Sequence, residues 1–397
     1  MSIWVQKYGG TSVGTPERIK QVAKRIAKTH ESGKKLVVVV SAMGCTTDDL
    51  LKLAADISSK PEPREIDMLL TAGERISMAL LSMALEDLGV HAISLTGSQS
   101  GIITDGSHRR AKIKKILGDR VRSSLDQGKV VIVAGFQGVS EAKEITTLGR
   151  GGSDTTAVAL AAALGAEQCE IYTDVDGVYS TDPNLIASAK FYTNVSYDFM
   201  IEMSMRGAGV LHPRCVGLAK KYKVPVSVIN SLKENREKKT VITENMEDVG
   251  IAGVTGDDEQ VLVHIELARP TVFSALFDSM KDSNLQALSP IYFGKNVLFF
   301  TNQEGIPVLK KIVSKLQADG FIDSIKIQDE IVPVSIVSNT VAQGGEMVSK
   351  ILSLLAENHI PVTVSMTSPL SLCVGVQRTK MKDALEILHA EINDRSR

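Results

Sequence analysis

The chain has 397 residues, a formal net charge of −1, and a composition that is 43% hydrophobic, 23% charged and 4% aromatic. Its length exceeds what one ordinary hydrophobic core supports, so we expect two or three domains. The nearly neutral charge provides no electrostatic field that would attract nucleic acid or an anionic membrane, and neither is expected as a partner.

Short β-branched runs alternate with helical stretches from the N-terminus to about residue 245. Buried strands are predicted at Ile3–Val5, Leu36–Val40, Ala92–Leu95, Val130–Ala134, Glu170–Thr173 and Val226–Ile229. Helices are predicted at Pro16–Ser32, Ile66–Leu88, Arg109–Gln127, Thr155–Leu164 and Ala208–Tyr222. This alternation is typical of an α/β three-layer sandwich, in which helices cover both faces of a mostly parallel sheet.

The C-terminal part has a different pattern that occurs twice. A polar stretch at residues 233–250 predicts the end of the first domain near residue 245. Beyond it, Leu285–Thr301 aligns without a gap with Ile360–Val376. Each copy predicts a strand, a helix, two strands and a helix, so residues 246–330 and 331–397 are expected to form two ferredoxin-like βαββαβ modules. Such modules either sense a ligand and dimerise or serve only as dimerisation surfaces.

Cysteine usage and hydropathy bear on the compartment. The four cysteines are far apart and form no CxxC pair, so neither a zinc site nor a disulfide framework is expected. No apolar run approaches the roughly 18 residues of a membrane span. We expect a protein of the reducing cytoplasm. The most basic run, His108–Lys115, has no aromatic residues that could stack on bases and is interpreted as the solvated side of a helix.

A glycine-rich segment, KYGGTSVG, runs from Lys7 to Gly14 directly after the first predicted strand. Adjacent glycines allow a backbone to approach a phosphate closely, and their N–H groups, together with the following helix N-terminus, can bind an anion. Lys7 would place a point charge on a transferring phosphoryl group. On this segment alone, a plain Gly-Gly turn with a surface lysine is an equally good interpretation.

A second glycine-rich segment, TTLGRGGSD, runs from Thr146 to Asp154 into a predicted helix. Ser153 or Asp154 is expected to cap that helix, and Arg150 can bind a carboxylate with two hydrogen bonds. The alternative is a capped helix start after a flexible loop. Two such loops, each with a cation, favour a pair of anionic substrates.

Three further motifs are less specific on their own. Glu74 in TAGERIS lies in a predicted helix, where a glutamate is usually solvated or paired with a neighbour such as Arg75. The aspartates of YTDVDGVYSTDP, residues 172–183, do not have the spacing of a calcium-binding EF-hand loop. His212, which precedes a proline in VLHPRC, is more often structural than catalytic in such a position.

Taken together, these segments resemble the amino-acid kinase superfamily, and within it the aspartate kinases. KYGGTSVG is similar to the N-terminal signature of that family, and SAMGCTTDDL, TAGERIS, TTLGRGGSD and YTDVDGVYSTDP match its later motifs in order. The C-terminal repeat resembles the paired ACT domains of the same enzymes, so the resemblance covers essentially the whole chain. It implies transfer of the ATP γ-phosphate to the β-carboxylate of L-aspartate, the first step of lysine, threonine and methionine biosynthesis.

The resemblance also implies roles for individual residues. Lys7, Gly9 and Gly10 would hold the ATP phosphates, which Mg²⁺ would bridge, and Lys7 and Asp154 would be the catalytic residues. Ser41, Thr47 and Glu74 would contact aspartate, with Glu74 facing its ammonium group. Arg150 would bind the α-carboxylate, and Ser153 would border the reacting groups. The nucleotide pocket would be lined by Thr173, Asp174, Tyr179 and Asp182.

The chemistry of the substrate agrees with this set of residues. A carboxylate with a pKa of about 4 is already ionised at neutral pH, so the nucleophile needs no general base. It needs positioning and charge neutralisation against the γ-phosphate. This requirement explains why the sequence has no histidine-centred triad.

The chain departs from the family pattern in places that bear on nucleotide binding and on regulation. Gly209 stands where family members usually have a lysine, and this is the only feature that supports the alternative of a non-catalytic amino-acid sensor on a kinase scaffold. Asn284 and Asn358 are the candidate effector-binding residues of the two modules. Feedback by lysine, threonine or both is expected, with loss of feedback as the alternative. A homo-oligomer formed through the ACT modules is also expected.

Overall fold

The computed structural model describes residues 2–233, 238–244, 252–283, 285–338 and 345–394. These residues form two compact units. The first contains the described residues within 1–178, 191–201 and 209–247, and the second contains those within 179–190, 202–208 and 248–397. Two short segments of the N-terminal half therefore pack with the C-terminal half of the chain.

The N-terminal half alternates strands with helices, as predicted. Its helices are α1 (Pro16–Glu31), α2 (Thr46–Ile57), α3 (Pro63–Glu86), α4 (Asp119–Asp126), α5 (Gly152–Leu164), α6 (Tyr197–Met205) and α7 (Pro213–Tyr222). Its strands are β1 (Ile3–Tyr8), β2 (Lys35–Val40), β3 (Ala92–Leu95), β4 (Ile102–Thr104), β5 (Ile113–Ile116), β6 (Val130–Ala134), β7 (Gln137–Ser140), β8 (Ile145–Thr147), β9 (Gln168–Thr173), β10 (Val178–Tyr179), β11 (Phe191–Tyr192), β12 (Asn194–Ser196), β13 (Val226–Asn230) and β14 (Lys239–Thr243).

An eight-stranded sheet forms the centre of the first unit, in the order β12-β14-β13-β9-β1-β2-β6-β3. The six strands from β13 to β3 are parallel to their neighbours, and β14 is antiparallel to β13. Helices α1 and α3 pack on one face through residues such as Ile26 and Leu81, and α5 packs on the opposite face with α7. The central strand β2 is a nearly continuous β-branched run because both of its faces are buried. The predicted α/β sandwich is confirmed.

Residues 109–127 differ from the helix that the sequence pattern predicts. Residues Ile113–Ile116 form β5, which pairs with β4 in a four-stranded sheet of order β5-β4-β7-β8, and only Asp119–Asp126 is helical. Apolar residues Ile113, Ile116 and Leu117 imitate helical spacing, but Gly118 has a φ of 71° and separates the strand from α4. The basic run at residues 108–115 therefore lies in a bend and a strand, and its assignment to a helix is wrong.

Two other differences concern helices. The predicted helix at residues 208–222 begins at Pro213, with His212 at its N-terminus. Helix α2 was not predicted from the sequence, and none of its residues is buried.

Among the described residues, α3 is long and apolar enough to span a membrane by length and composition alone. Its fully buried Leu81 and Leu85 pack in the core, as expected for a central helix of a globular unit.

The second unit contains two four-stranded sheets, in the orders β17-β18-β16-β19 and β15-β20-β22-β21. The strands are β15 (Ala252–Gly256), β16 (Gln260–Leu267), β17 (Leu288–Phe293), β18 (Asn296–Asn302), β19 (Ile322–Gln328), β20 (Ile331–Ser338), β21 (Val364–Thr367) and β22 (Ser371–Gln377). The helices are α8 (Phe273–Asp282), α9 (Ile306–Ala318), α10 (Gly345–Glu357) and α11 (Met381–Asp394). Both sheets have the strand order of a ferredoxin-like module.

The two modules are nested rather than strictly consecutive. The first is continuous from β16 to β19, whereas the second runs from β20 to α11 and takes its fourth strand, β15, from before the first module. Strand β15 pairs antiparallel with β20, from Ala252 opposite Ser338 to Gly256 opposite Val334. The inner faces of the two sheets share a buried cluster that includes Leu262, Phe300 and Cys373.

Candidate active site

The candidate residues of the first unit follow the carboxyl ends of parallel strands. Strands β1, β2, β9 and β13 are neighbours in the sheet and end at Tyr8, Val40, Thr173 and Asn230. The chain moves from β1 toward β2 and β6 and later returns to place β9 on the other side of β1. A crevice outside the carboxyl ends of the strands, at such a change of direction, is where open α/β sheets bind ligands.

The first glycine-rich loop lies against the loop that follows β2. The N–H of Gly9 donates to the carbonyl of Tyr172 at 3.1 Å, and the N–H of Gly44 donates to the carbonyl of Gly10 at 3.1 Å. A Cβ at Gly10 would be 2.9 Å from the carbonyl oxygen of Ala42, so a side chain there would push the two loops apart. The glycine is therefore required for the close approach of these two loops.

Lys7 and Asp154 form an ion pair beside these loops. The distance from Lys7 Nζ to Asp154 Oδ1 is 2.6 Å, and the two side chains are only 10% and 14% exposed. Asp154 lies in the first turn of α5, which begins after Gly151, a residue with a φ of 65° and no side-chain cap. The expectation that Ser153 or Asp154 caps α5 is therefore wrong. Asp154 instead neutralises and orients the lysine at the tip of β1.

Ser153 occupies the same helix turn in a buried position. It is 8% exposed, and a Cβ at Gly135, directly after β6, would come within 2.7 Å of its Oγ. The closest approach of α5 to the end of β6 therefore depends on this glycine. Ser153 and Asp154 both belong to the side of α5 that faces the carboxyl edge of the sheet.

Glu74 is a buried carboxylate on α3, 4% exposed. Its Oε1 accepts the N–H of Ala42 at 3.2 Å, and its Oε2 has no hydrogen-bond partner among the described residues. Burial raises the pKa of Glu74 to about 7, although the hydrogen bond from Ala42 opposes the shift. A carboxylate with one unsatisfied buried oxygen is suited to bind a small cation such as an ammonium group.

Ser41 lies on the loop that Glu74 contacts, and Thr47 lies on the helix that follows this loop. Ser41 follows β2 and donates its N–H to the carbonyl of Tyr8 at 3.1 Å. Thr47 is in the first turn of α2. A Cβ at Gly73 would be 2.7 Å from the Cβ of Ala42, so α3 packs closely against this loop. The structure therefore brings Ser41 and Glu74 to one region of the sheet edge.

Arg150 is exposed on the loop before α5, between Gly149 and Gly151. A Cβ at Gly151 would lie 2.2 Å from the Cβ of His212, so the two residues are in close contact. His212 is the N-cap of α7, where its Nδ1 accepts the N–H of Arg214 at 3.2 Å. Burial, followed by the charge of Arg214, lowers the pKa of His212, consistent with a neutral capping residue. The structural interpretation of His212 is confirmed.

The candidate nucleotide residues divide between the two units. Thr173 ends β9, and its hydroxyl donates to the adjacent carboxylate of Asp174 at 3.2 Å. Asn230, which the sequence did not single out, donates to the carbonyl of Asp174 at 3.3 Å and to Asp176 at 2.8 Å. Tyr179 and Asp182 belong to the second compact unit. Asp182 accepts the N–H of Asn184 at 2.8 Å and thereby shapes its own turn.

Asp176 is part of the same loop and is held ionised. Burial opposes ionisation, but hydrogen bonds from Lys233, Asn230 and Lys238 lower the pKa of Asp176 well below its ordinary value. The two lysines approach its carboxylate at 2.7 and 3.1 Å. Asp174 and Asp176, which follow β9, thus accept hydrogen bonds from Asn230 at the end of β13, and Asp176 also pairs with Lys233 and Lys238.

Of the two candidate effector residues, Asn284 lies outside the described residues. Asn358 follows α10, and its side chain donates to the carbonyl of Leu354 at 2.9 Å. The next residue, His359, lines a groove of about 610 Å³ between the end of α10 and β21, together with Leu352, Ile360 and Val364. The groove lies wholly within the second ferredoxin-like module.

Comparison with known proteins agrees with this arrangement. Residues 2–230 match the model of the amino acid kinase family. The aspartokinase of Mycolicibacterium smegmatis is 44% identical over 404 residues, which cover 98% of this chain and 96% of that protein. The aspartokinase of Geobacillus stearothermophilus is 41% identical, with coverage of 98% and 97%. The chain belongs to the aspartokinase family.

Solved aspartokinase structures have the same fold. Aspartokinase III of E. coli, in complex with aspartate and ADP, superposes with a TM-score of 0.83 at 21% identity, covering 98% of this chain and 99% of that one. The aspartate kinase of Synechocystis has a TM-score of 0.56 at 37% identity and covers 99% of this chain and 70% of that one. Both likenesses extend over both units of this aspartokinase family member.

Proposed function

We propose that this protein is an aspartate kinase that transfers the γ-phosphoryl group of ATP to the β-carboxylate of L-aspartate, giving 4-phospho-L-aspartate and ADP. The observation that carries the proposal is the buried 2.6 Å pair of Lys7 and Asp154 at the carboxyl edge of the sheet. A lysine in this position, held by a carboxylate and adjacent to a glycine-rich loop, is suited to neutralise a transferring phosphoryl group.

The substrate end of the proposed site has complementary charges. Glu74, with its unsatisfied Oε2, would accept the ammonium group of aspartate, and Arg150 would bind the α-carboxylate. Ser41, Thr47 and Ser153 would contribute hydroxyl or backbone contacts around the same molecule. Two carboxylates and one ammonium distinguish aspartate from most small metabolites, so a site with opposite charges in this arrangement favours it.

The nucleotide end is assigned to two sets of residues. Gly9 and Gly10 would lie beside the phosphates with Lys7, whose Nζ is 3.5 Å from the position that a Cβ at Gly9 would take. Thr173 and Asp174 would line the rest of the nucleotide pocket, and the roles that the resemblance implies for Tyr179 and Asp182 stay predictions from the sequence. Within the described part of the chain, no group of three or more His, Cys, Asp or Glu side chains could hold a metal ion by itself. Mg²⁺ is therefore proposed to enter as part of the Mg–ATP substrate, bound mainly by phosphate oxygens.

The reaction needs alignment rather than proton transfer. An oxygen of the β-carboxylate attacks the γ-phosphorus, the bond to the β–γ bridging oxygen breaks, and that electron pair leaves with ADP. The nucleophile is ionised at neutral pH, so no base is consumed. Arg150 and Glu74 would hold the amino acid in line, and Lys7 would offset the charge on the phosphoryl oxygens.

The C-terminal modules are proposed to sense an amino-acid effector, lysine, threonine or both, and to assemble the chain into a homo-oligomer. Domains at 1–245, 246–330 and 331–397 remain our division by function, with β15 as a structural exception. The groove beside Asn358 supports a ligand-binding role, since amino-acid-sized molecules bind in concave sites of this kind. The enzyme would act in the cytoplasm at the entry to lysine, threonine and methionine synthesis.

The decisive experiment traps the acyl phosphate as a hydroxamate in the presence of ATP and aspartate, glutamate or N-acetylaspartate. We expect signal with aspartate alone, and equal signal with all three would contradict the proposal. The alternative, a non-catalytic sensor, is not favoured. Its one supporting feature, Gly209, leaves open space that a larger side chain could enter, whereas Lys7, Glu74, Arg150 and Asp154 are all present. Lysine binding without ATP binding in calorimetry would support that alternative.

A further inference from the structure

Asp67 is a completely buried carboxylate on α3 that the proposed reaction does not use. Its oxygens accept four short contacts. Oδ1 accepts from the Thr147 hydroxyl at 2.5 Å and from the Arg109 N–H at 3.0 Å, and Oδ2 accepts from His108 Nδ1 at 2.8 Å and from the same N–H at 3.1 Å. A carboxylate can only accept, so Nδ1 of His108 carries the hydrogen.

None of these donors belongs to α3. His108 and Arg109 lie in the bend between β4 and β5, and Thr147 is the last residue of β8. Burying a carboxylate is costly unless hydrogen bonds compensate it, and here two separate loops supply the compensation. The carboxylate of Asp67 therefore fastens both loops to the helix rather than stabilising the helix itself.

The bend and the end of β8 are also joined to each other. Ala111 donates its N–H to the carbonyl of Thr147 at 2.8 Å. The guanidinium of Arg214 bridges the carbonyls of Leu148 and Ala111, each at 2.8 Å. Arg109 has a φ of 65°, a left-handed conformation that is unfavourable for a residue with a side chain and that its bond to Asp67 helps to maintain.

The bend that Asp67 holds also contacts the residue that precedes Arg150. A Cβ at Gly149 would be 2.9 Å from the carbonyl oxygen of Arg109, so the bend lies in close contact with the residue before Arg150. Asp67 also shares α3 with Glu74, about two helical turns further along and on the same buried side. One rigid helix thus carries the candidate ammonium ligand and the anchor of the loop that presents the candidate carboxylate ligand.

We propose that Asp67 is a positioning residue for the amino-acid substrate, acting through Arg150 by holding the loop of residues 147–150 at a fixed distance from Glu74. The proposal rests on the function proposed above. The oxygens of Asp67 are bonded to protein groups, and we expect its effect to be confined to the α-carboxylate end of the amino acid.

The test is a double-mutant cycle on kinase activity with Asp67→Asn and Arg150→Ala. Asparagine keeps the shape but replaces one acceptor with an NH₂ group, which cannot accept from His108, Arg109 or Thr147. We expect Asp67→Asn to raise KM for aspartate about 10-fold, with KM for ATP unchanged and kcat within about twofold. Added to Arg150→Ala, it should raise KM by less than about twofold further, because both changes act on one contact.

Three outcomes would overturn the inference: an unchanged KM for aspartate in Asp67→Asn, an equal rise in KM for ATP, or penalties that multiply fully in the double variant. If Asp67→Asn fails to fold, Thr147→Val removes one donor to the same carboxylate and should raise KM for aspartate severalfold; an unchanged value would again overturn the inference. The matched control is Asp126→Asn, whose exposed carboxylate pairs with Lys35 at 2.6 Å and should leave all constants unchanged.

These results are separable from a failure of the proposed function. A wild-type enzyme without activity toward aspartate would refute the kinase proposal itself. A wild-type enzyme with normal activity and an insensitive Asp67→Asn variant would refute only the positioning role.

Discussion

Lys7 at the end of β1 and Asp154 in the first turn of α5 are joined by a 2.6 Å ion pair that is almost completely buried. The aspartate holds the lysine amine at the carboxyl edge of the sheet. A nearby phosphate would compete for the same amine. The pair is therefore expected to matter both for the stability of the protein and for the rate of phosphoryl transfer.

The first prediction concerns this pair. Lys7→Ala should lower kcat by about 10²-fold or more, because it removes the cation that we propose offsets charge in the transition state. It should also lower the free energy of unfolding by about 3 kcal/mol or more, because Asp154 is left buried without its counter-charge. Steady-state kinetics and urea unfolding measure the two effects.

A compensated variant separates the two roles of the pair. Lys7→Met with Asp154→Leu should recover much of the stability, since an apolar pair replaces a buried ion pair, while kcat stays as low as in Lys7→Ala. Lys35→Met, which removes an exposed pair with Asp126, serves as the control and should leave both readouts at the wild-type values. Substantial activity in Lys7→Ala would exclude the phosphate role.

The second prediction uses the pKa of Glu74, which burial raises from its ordinary value of 4.5 to about 7. Between these values the folded protein binds a proton that the unfolded chain has lost, so the free energy of unfolding falls as pH rises through this window. Above pH 7, the buried ionised carboxylate of Glu74 lowers the free energy of unfolding by roughly 3 kcal/mol. Glu74→Gln should therefore be more stable than wild type at pH 8, and this advantage should vanish by pH 4.

Substrate binding should depend on pH in the opposite sense. If Glu74 binds the ammonium group of aspartate as proposed, its ionised form is the one that attracts the ligand, so KM for aspartate should fall as pH rises through about 7. Glu74→Gln should have a high KM that varies little over the same range. An identical pH dependence in the two proteins would show that another group titrates.

The sequence predicted the parts of the fold that depend on local chemistry. The β-branched runs at residues 36–40 and 130–134 are buried on both faces, so their pattern alone identifies central strands. Gly10 was singled out as part of a phosphate-binding turn, and that role stays a prediction. What the structure adds is a close contact with the Ala42 carbonyl that also requires a glycine there.

Other features depend on contacts between distant residues. The Lys7–Asp154 pair joins segments that are separated by most of the first unit, and Asp154 was instead expected to cap its helix. Asp67 was overlooked because an aspartate at a helix start usually faces solvent; its position on the same side as Glu74 was the available signal. The prediction of a helix at residues 109–127 was wrong because Ile113, Ile116 and Leu117 have helical spacing, but residues 113–116 pair with β4 as a strand.

The third prediction concerns thiol reactivity. Cys45 is exposed, whereas Cys169, Cys215 and Cys373 are buried, and burial raises the pKa of each of these three thiols. A thiol reagent should therefore modify one cysteine rapidly in the native protein, and Cys45→Ser should abolish that phase. Cys45 lies between Ser41 and Thr47, so aspartate should slow its modification. Labelling that is unaffected by saturating aspartate would contradict the assignment of this loop to the substrate site.

The fourth prediction concerns the second unit, where Glu202 of α6 accepts from Ser371 Oγ at 2.5 Å, from Ser368 Oγ at 3.1 Å and from Arg206 Nε at 2.9 Å. Burial opposes ionisation, but hydrogen bonds from Ser371 and attraction to Arg206 keep the pKa of Glu202 below its ordinary value. The guanidinium of Arg206 also donates to the hydroxyl of Ser289. The backbone carbonyl of Arg206 accepts from the hydroxyl of Thr255 at 2.7 Å. This short segment of the N-terminal half therefore links strands of both ferredoxin-like modules.

Glu202→Gln keeps the shape of the side chain and its ability to accept from the serine hydroxyls, but it leaves the largely buried Arg206 without its counter-charge. We expect the free energy of unfolding to fall by about 1–3 kcal/mol, seen as a lower melting temperature in calorimetry. Glu386→Gln removes only a long, exposed contact of 3.9 Å with Lys382 and is the matched control. If the two variants melted at the same temperature, the pair of Glu202 and Arg206 would contribute no more than a surface charge, and its proposed role in joining the modules would have to be abandoned.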